Sequence, residues 1–343
     1  MNKSSKYEKL IHQVLNNISN QRTRDIINLR FGLEDGQRKT LEAIGQKYGI
    51  TRERVRQIEE AAFSDLRKPV LINILKPTFF SIDNFLNKEG RIVKEERLLS
   101  SLAETDSFSP VKGALFLALT LGEPYQRFVE SDKFHALWTN SQEALNQADK
   151  LIDQLVKKLE EERKPASFDY VLNSFKEAGV DLPKKVLSSY LDVTKQIDQN
   201  SFGQFGLIKW AEINPRGAKD KAYLILKEQK QPLHFRKVTE LINQAGLGSN
   251  LAQAQTVHNE LIKDSRFVLV GRGTYALGEW GYQPGTVKDA IVQILKENGS
   301  LSKDEVLDGV LKIRLVKKNT VLINLQNKKH FVKNIDGQYT LAR

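Results

Sequence analysis

The 343-residue chain contains no cysteine, which excludes disulfides and thiolate zinc sites. No stretch approaches the roughly 18 apolar residues that a membrane helix needs. The start, MNKSSKYEKLIHQ, turns polar before an apolar core of signal-peptide length develops. The expectation is a soluble, cytoplasmic protein with no membrane partner. The five histidines, His12, His135, His234, His258 and His330, are scattered, and none has an i+4 histidine or metal-ligand company. There is no G-x-x-x-x-G-K-[ST] loop and no G-x-S-x-G elbow. Gly271-Arg272-Gly273 reads as a hairpin turn, because no helix follows it directly. These gaps point to a non-enzyme with no cofactor, no metal, no catalytic residue and no small-molecule substrate.

Acidic residues are also in short supply. There are 42 against 53 lysines and arginines, a net charge of +11, which favours a polyanionic partner. Residues 1–70 carry 14 basic against 9 acidic side chains, residues 71–200 carry 17 against 20, and residues 201–343 carry 22 against 13. The two ends are therefore the candidates for DNA contact, and the length allows two or more domains.

One stretch, Thr40 to Arg67, reads as a helix-turn-helix. Thr40 can cap a short helix carrying Leu41, Ile44 and Tyr48, with Gly45 small where the chain must pack closely. Gly49 ends it with the positive φ that a tight turn requires, and Thr51 can cap a second helix. Val55, Ile58, Ala62 and Leu66 recur at helical spacing and form its inner face. Arg52, Glu53, Arg56 and Gln57 occupy the other face near the helix start, the part of a recognition helix that reaches base edges. Arg can bond guanine O6 and N7 together, Gln can do the same for adenine, and Glu can accept from cytosine N4. The plain alternative is a solvated, salt-bridged helix surface.

The run Leu29-Arg30-Phe31-Gly32-Leu33, Asp35-Gly36, Thr40-Leu41-Glu42 and Ile50-Thr51-Arg52-Glu53-Arg54-Val55-Arg56-Gln57-Ile58-Glu59 resembles region 4 of sigma-70 family transcription initiation factors. That resemblance implies recognition of the promoter −35 element in double-stranded DNA and docking on the β flap of core RNA polymerase. Carried over by position, it implies that Arg52, Glu53, Arg56 and Gln57 touch bases and that Thr40, Leu41, Glu42 and Arg54 sit at the phosphate backbone. Thr23 stands where the family often has an acidic residue. No aromatic-rich helical segment resembles region 2, which melts the −10 element, so the chain looks like a borrowed promoter-reading module.

Upstream, Leu10, Ile11, Val14, Leu15 and Ile18, then Ile26, Ile27 and Leu29, mark two supporting helices. Downstream of Arg67, Pro69 and Pro77 punctuate the chain. Over residues 78–140 the pattern is three helices and a strand pair, a winged-helix outline that its near-neutral charge assigns to scaffolding. Residues 141–164 form a linker helix in which Leu145, Ala148, Ile152, Leu155 and Leu159 make a short heptad seam, suited to packing on a neighbouring domain rather than to a dimeric coiled coil.

The second half repeats itself. Gln204 to Trp210, followed by Pro215, returns as Gly273 to Trp280, followed by Pro284, and the chain ends on Asp336-Gly337-Gln338-Tyr339-Thr340-Leu341. Each instance reads as the strand that closes one winged helix, giving units at 166–212, 215–282 and 284–343. In the central unit Lys219-Asp220-Lys221-Ala222-Tyr223, Pro232 to Val238, Thr256-Val257-His258, Arg266-Phe267 and Gly271 to Leu277 are similar to the HARE helix-turn-helix domain, found in the delta subunit of some bacterial RNA polymerases, in chromatin proteins and fused to restriction enzymes. The resemblance implies the fold and leaves the binding residues open. A third helix over 251–262 would expose Gln253, Gln255, Asn259 and Lys263, with His258 structural. Arg272 sits at a hairpin tip within reach of a phosphate. In the last unit Arg314, Lys317, Lys318 and Asn319 open the third helix, and Lys328, Lys329 and His330 enter the wing. The expected class is therefore mainly α: a helix-turn-helix domain over 1–70 followed by tandem winged-helix (α+β) domains. Its expected role is a sigma-like DNA-binding regulator, with a delta-like accessory protein or the recognition subunit of a DNA modification or restriction system as alternatives.

Overall fold

Caps and turns bound the first elements of the computed structural model, which describes residues 3–107, 109–248, 250–282 and 284–342. Helix α1 is Lys3–Leu15. Asn20 accepts from the Thr23 N–H to open α2, Gln21–Phe31, and Gly32 closes it in the left-handed region at φ 65°. Helices α3, Leu41–Tyr48, and α4, Arg52–Leu66, come next. Helix α5 then runs without a break from Pro69 to Lys88. Here the expected punctuation needs correcting. Pro69 occupies the first turn, where its missing N–H costs nothing, but Pro77 lies inside the helix. Pro77 and Asn73, whose carbonyl loses its partner, are both exposed, so water can satisfy the group that the ring leaves unbonded.

The chain divides into two compact units, Met1–Asp198 and Gln199–Arg343. In the first, α5 leads into β1 (Ile92–Lys94), α6 (Glu95–Ala103), α7 (Pro110–Leu121), β2 (Gln126–Phe128) and β3 (Leu137–Thr139). The strands pair antiparallel in the order β1-β3-β2, with Trp138 opposite both Val93 and Arg127. This is winged-helix order, with α5 as its first helix. The core does not respect the segment boundary near residue 70. Ile11 and Leu15 of α1, Phe31 of α2, Leu66 of α4, Leu75 and Ile82 of α5, Leu115 of α7 and Trp138 of β3 belong to one buried cluster. An aromatic chain crosses it: Phe63 of α4 to Phe31 at 5.8 Å, Phe31 to Phe116 of α7 at 5.8 Å, and Phe116 to Trp138 at 5.6 Å.

Close backbone packing accompanies the rings. A Cβ on Gly113 of α7 would stand 2.4 Å from the Phe31 carbonyl oxygen and 2.8 Å from that of Gly32. Helix α8, Gln142–Glu162, buries Leu145, Ala148, Ile152, Leu155 and Leu159 within the chain. Phe175 of α9 (Phe168–Glu177) and Leu187 and Tyr190 of α10 (Lys184–Val193) line the same apolar space as the seam, which leaves it no open face for a second helix. Strands β4 (Ala166–Ser167) and β5 (Ile197–Gln199) flank α9 and α10.

After β6 (Gln204–Leu207), the second unit holds α11 (Gly217–Gln229), β7 (Leu233–His234), α12 (Phe235–Gln244), α13 (Ala254–Lys263), β8 (Phe267–Gly271) and β9 (Thr274–Leu277). The sheet order β7-β9-β8 and the helix-strand-helix-helix-strand-strand sequence are again those of a winged helix. Its core includes Leu226, Val238, Ile242, Val257, Leu261, Tyr275 and Leu277. His258 stacks on Phe235 at 4.3 Å and meets the edge of Tyr275 at 5.9 Å, in keeping with a structural role. The last elements are α14 (Val287–Asn298), α15 (Lys303–Ile313), α16 (Lys318–Leu325), β10 (Phe331–Lys333) and β11 (Tyr339–Leu341). Leu301 stands in for a first strand, bridging Tyr339. Capping boxes at Thr286 and Ser302 open α14 and α15.

A helical glycine replaced by alanine usually gains up to about 1 kcal/mol. Gly113→Ala is expected to do the opposite, lowering stability by about 1–3 kcal/mol through overpacking against the end of α2. The midpoint of a urea titration reads this, and an unchanged or raised midpoint would show that α7 is not seated there.

Candidate nucleic-acid interface

The turn between α3 and α4 is built from the residues that the sequence nominates. Thr40 caps α3 by accepting from Ala43 N–H at 3.1 Å. Gly49 takes φ 64° at its end, and Ile50 N–H donates to the Gly45 carbonyl at 3.0 Å. Gly45 has to be glycine, since a Cβ would come within 2.7 Å of the Ile50 oxygen. Thr51 then caps α4 by accepting from Arg54 N–H at 3.2 Å. Val55 enters a small cluster with Ile26 and Ile44, against which Ile58 packs part-buried. Ala62 and Leu66 enter the larger core instead, so one helix face serves two clusters.

Helix α4 is also held from α2. Arg30 Nε bonds Glu59 Oε1 at 3.3 Å while its Nη1 donates to the Lys39 carbonyl at 3.2 Å. Burial raises the Glu59 carboxyl above its usual range, and the Arg30 charge pulls it back. Arg22 Nη2 donates to the Tyr48 carbonyl at 3.0 Å, tying α2 to the end of α3.

Arg52, Glu53, Arg56 and Gln57 are all exposed on the first two turns of α4, as are Thr40, Glu42 and Arg54 nearby. Leu41 is different. Its side chain packs half-buried on the Ile26–Ile44–Val55 cluster, so only its backbone N–H at the start of α3 is available to a phosphate. The polar side chains of α4 engage one another. Arg56 holds Glu53 through Nε at 3.0 Å and Nη2 at 2.6 Å, and its Nη1 meets Glu60. Arg54 Nη1 donates to Gln57 Oε1 at 3.1 Å. The hydrogen bond from Arg56 holds the Glu53 carboxyl below its usual range, and the same bond raises the guanidinium. Every one of these pairs is open to water, so a base edge can exchange for either partner. Over Arg52–Leu66 three arginines face four carboxylates, so the helix itself is net negative.

Glu60 is not among the residues that the sequence nominates, although its i+4 spacing from Arg56 is the available signal. Two more residues carry no local signal at all. Arg38, in the loop before α3, lies over the Phe116 ring at 4.1 Å and reaches Glu95 at 3.5 Å. Glu95 is buried and also accepts from Arg127 Nη2 and Trp138 Nε1, each at 3.0 Å.

The remaining nominated residues lie in the second unit. Arg272 is exposed at the β8–β9 tip, where Gly273 takes φ 63°. Lys317 and Lys318 are exposed at the start of α16. The structure brings these together, because Gly271 lies against the Leu315 carbonyl, 3.2 Å from where a Cβ would stand. Gln253, Gln255, Asn259 and Lys263 are exposed on and before α13, as expected. Arg314 corrects the basic patch. It is buried and donates to the Gly285 carbonyl, so it serves the fold of the last unit and is not a surface cation.

Two segments match known families. Residues 20–68 match the model of "Sigma-70, region 4", and residues 218–280 match that of the HARE-HTH family, the helix-turn-helix domain of ASXL and restriction endonuclease proteins. Both are helix-turn-helix families and neither is enzymatic, and residues 20–68 form a sigma-like DNA-binding helix-turn-helix. The chain is 50% identical over 66 residues to RNA polymerase sigma factor SigA of Nostoc sp., which is 19% of this chain and 17% of that protein. It is 52% identical over 66 residues to SigA of Microcystis aeruginosa, covering 19% and 16%. It is 56% identical over 55 residues to SigA1 of Synechococcus elongatus, covering 16% and 14%. The chain thus spans about a sixth of the length of these curated relatives. Among the described residues no helix is long and apolar enough to cross a membrane.

Because Glu53 and Glu60 neutralise Arg56, Glu60→Gln is expected to raise affinity for scrambled duplex at low salt. The slope of log affinity against log salt should steepen by about 0.9 if one cation is released to a phosphate. A fluorescence anisotropy titration at several salt concentrations measures both, and an unchanged slope would mean that Arg56 does not meet the duplex.

Proposed function

We propose that this protein is a cytoplasmic, sigma-factor-like transcription regulator and not an enzyme. Helix α4 reads a −35-type promoter element in double-stranded DNA, and the helix-turn-helix contacts core RNA polymerase at the β flap. The observation that carries this reading is the placement of Arg52, Glu53, Arg56 and Gln57, exposed together on the first two turns of a capped helix within the region-4 match. Thr40, the Leu41 backbone, Glu42 and Arg54 border them and meet the phosphates. The mechanism is recognition and tethering: bases exchange for the pairs that these side chains make with one another, and basic residues elsewhere, including Arg272, Lys317 and Lys318, hold any duplex.

The match at residues 218–280 favours a second reading, an accessory protein resembling the polymerase delta subunit or the recognition subunit of a modification or restriction system. That reading places specificity in the second unit and leaves α4 with little sequence preference.

Binding-site selection from a randomised duplex library separates the two. Glu53→Ala should relax preference at one base-pair position, whereas Lys317→Ala with Lys318→Ala should weaken all sequences alike and flatten the salt slope by about 1.8. Preference that survives Arg56→Ala with Gln57→Ala would sink the α4 assignment. Polymerase contact is tested by capturing core enzyme with the full chain in the presence of a competing sigma factor. Competition is expected, and undisturbed capture would move the contact away from the flap. Deleting residues 1–70 is not a usable control, since those residues share a core with α5, α7 and β3.

A further inference from the structure

We infer that the last winged unit, residues 284–342, is a second duplex-holding module that bends DNA by wedging Ile335 between base steps from the minor groove. This role rests on the reading of the chain as a DNA-binding protein and is independent of what α4 reads.

The charge of this small unit is segregated along its chain. Residues 284–308, which hold α14 and the first half of α15, carry three lysines against five carboxylates. Residues 309–342, which hold the end of α15, α16 and the β10–β11 hairpin, carry seven basic residues against Asp336 alone. With Arg314 turned inward on Gly285, six lysines remain. A supporting half that is net acidic and a third-helix-and-wing half that is basic give the unit one side suited to a polyanion.

Exposed apolar residues follow the same division. Leu315, Ile323, Val332 and Ile335 are 54%, 68%, 41% and 103% exposed, and all four lie on or next to α16 and the hairpin. In sequence they alternate with lysines, as in Val332-Lys333 and in the Lys328-Lys329 pair between Ile323 and Val332. A protein-docking face has a contiguous apolar centre with charge kept to its rim, whereas here lysines are interspersed among the apolar residues along the chain. Duplex DNA fits that pattern, because lysines meet phosphates while single apolar side chains meet thymine methyls or base steps.

The hairpin tip is built to hold Ile335 out. Asn334 N–H donates to the Gln338 carbonyl at 2.9 Å, and Asn334 Oδ1 accepts from Gln338 N–H at 2.8 Å. Gly337, at φ 80°, donates to the Asn334 carbonyl at 3.1 Å. A closed loop of this kind has few ways to fold the side chain back. Minor-groove proteins that insert such a wedge kink the duplex by about 20–90°. The β8–β9 wing extends the same cationic edge, since Gly271 abuts the Leu315 carbonyl and sets Arg272 near Lys317 and Lys318.

The test uses the full chain carrying Arg56→Ala and Gln57→Ala, which removes α4 readout, with a short scrambled duplex bearing a dye at each end. This protein should still bind with a steep salt dependence and shorten the dye-to-dye distance. Ile335→Ala, at a fully exposed position that the fold does not need, should abolish most of the shortening while changing affinity less than about threefold. Lys328→Ala with Lys329→Ala should weaken binding to every duplex. Loss of all binding in the Arg56→Ala, Gln57→Ala protein overturns the inference, as does shortening that Ile335→Ala leaves intact. Capture of an acidic protein by this surface without duplex binding overturns it too. Wild-type sequence preference in the Arg56→Ala, Gln57→Ala protein would instead remove the α4 reading and leave this one standing.

Discussion

Glu95 is the group on which the first unit turns. A carboxylate buried at the start of α6 must be met by charge and hydrogen bonds or its desolvation is not offset. It is met from three directions, by Arg127 of β2, by the Trp138 indole of β3 and by Arg38 from the loop that leads into α3. Arg38 also lies on Phe116, and Phe116 touches both Trp138 and Phe31. One network of ions and rings therefore sets the pose of the helix-turn-helix on the winged helix behind it. The attitude of α4 is a property of residues 3–140 together and not of the region-4 segment alone.

The local design of the interface was legible in the sequence because its rules are local. Thr40, Gly49 and Thr51 act within three or four residues, and Gly45 meets a carbonyl five positions on. The repeat of closing strands was legible for the same reason, as an aromatic and a leucine recur at the end of each unit. What could not be read depends on distance along the chain. Glu95 is one acid among 42, and it joins partners 57 and 43 positions away. Arg314 looked like a surface cation because nothing nearby in sequence shows that the Gly285 carbonyl will face it. Pro77 looked like a helix end because the rule that proline breaks helices takes no account of which side of the helix faces water.

The same distinction explains the division of labour between the halves of α4. Its first half is polar outward and packs on the small cluster around Ile26 and Ile44, whereas its second half is anchored in the main core through Ala62 and Leu66. A helix anchored at one end and capped at the other presents its side chains in one fixed register.

The arginine that Glu53 and Glu60 hold has a kinetic meaning as well. If α4 reads DNA as proposed, Arg56 meets a base edge only after leaving Glu53 and Glu60, so a site that offers no such edge is given up quickly. Dwell time would then lengthen where base edges replace both carboxylates as partners of Arg56. On that reading, three residues on one helix face would set how fast wrong sites are abandoned.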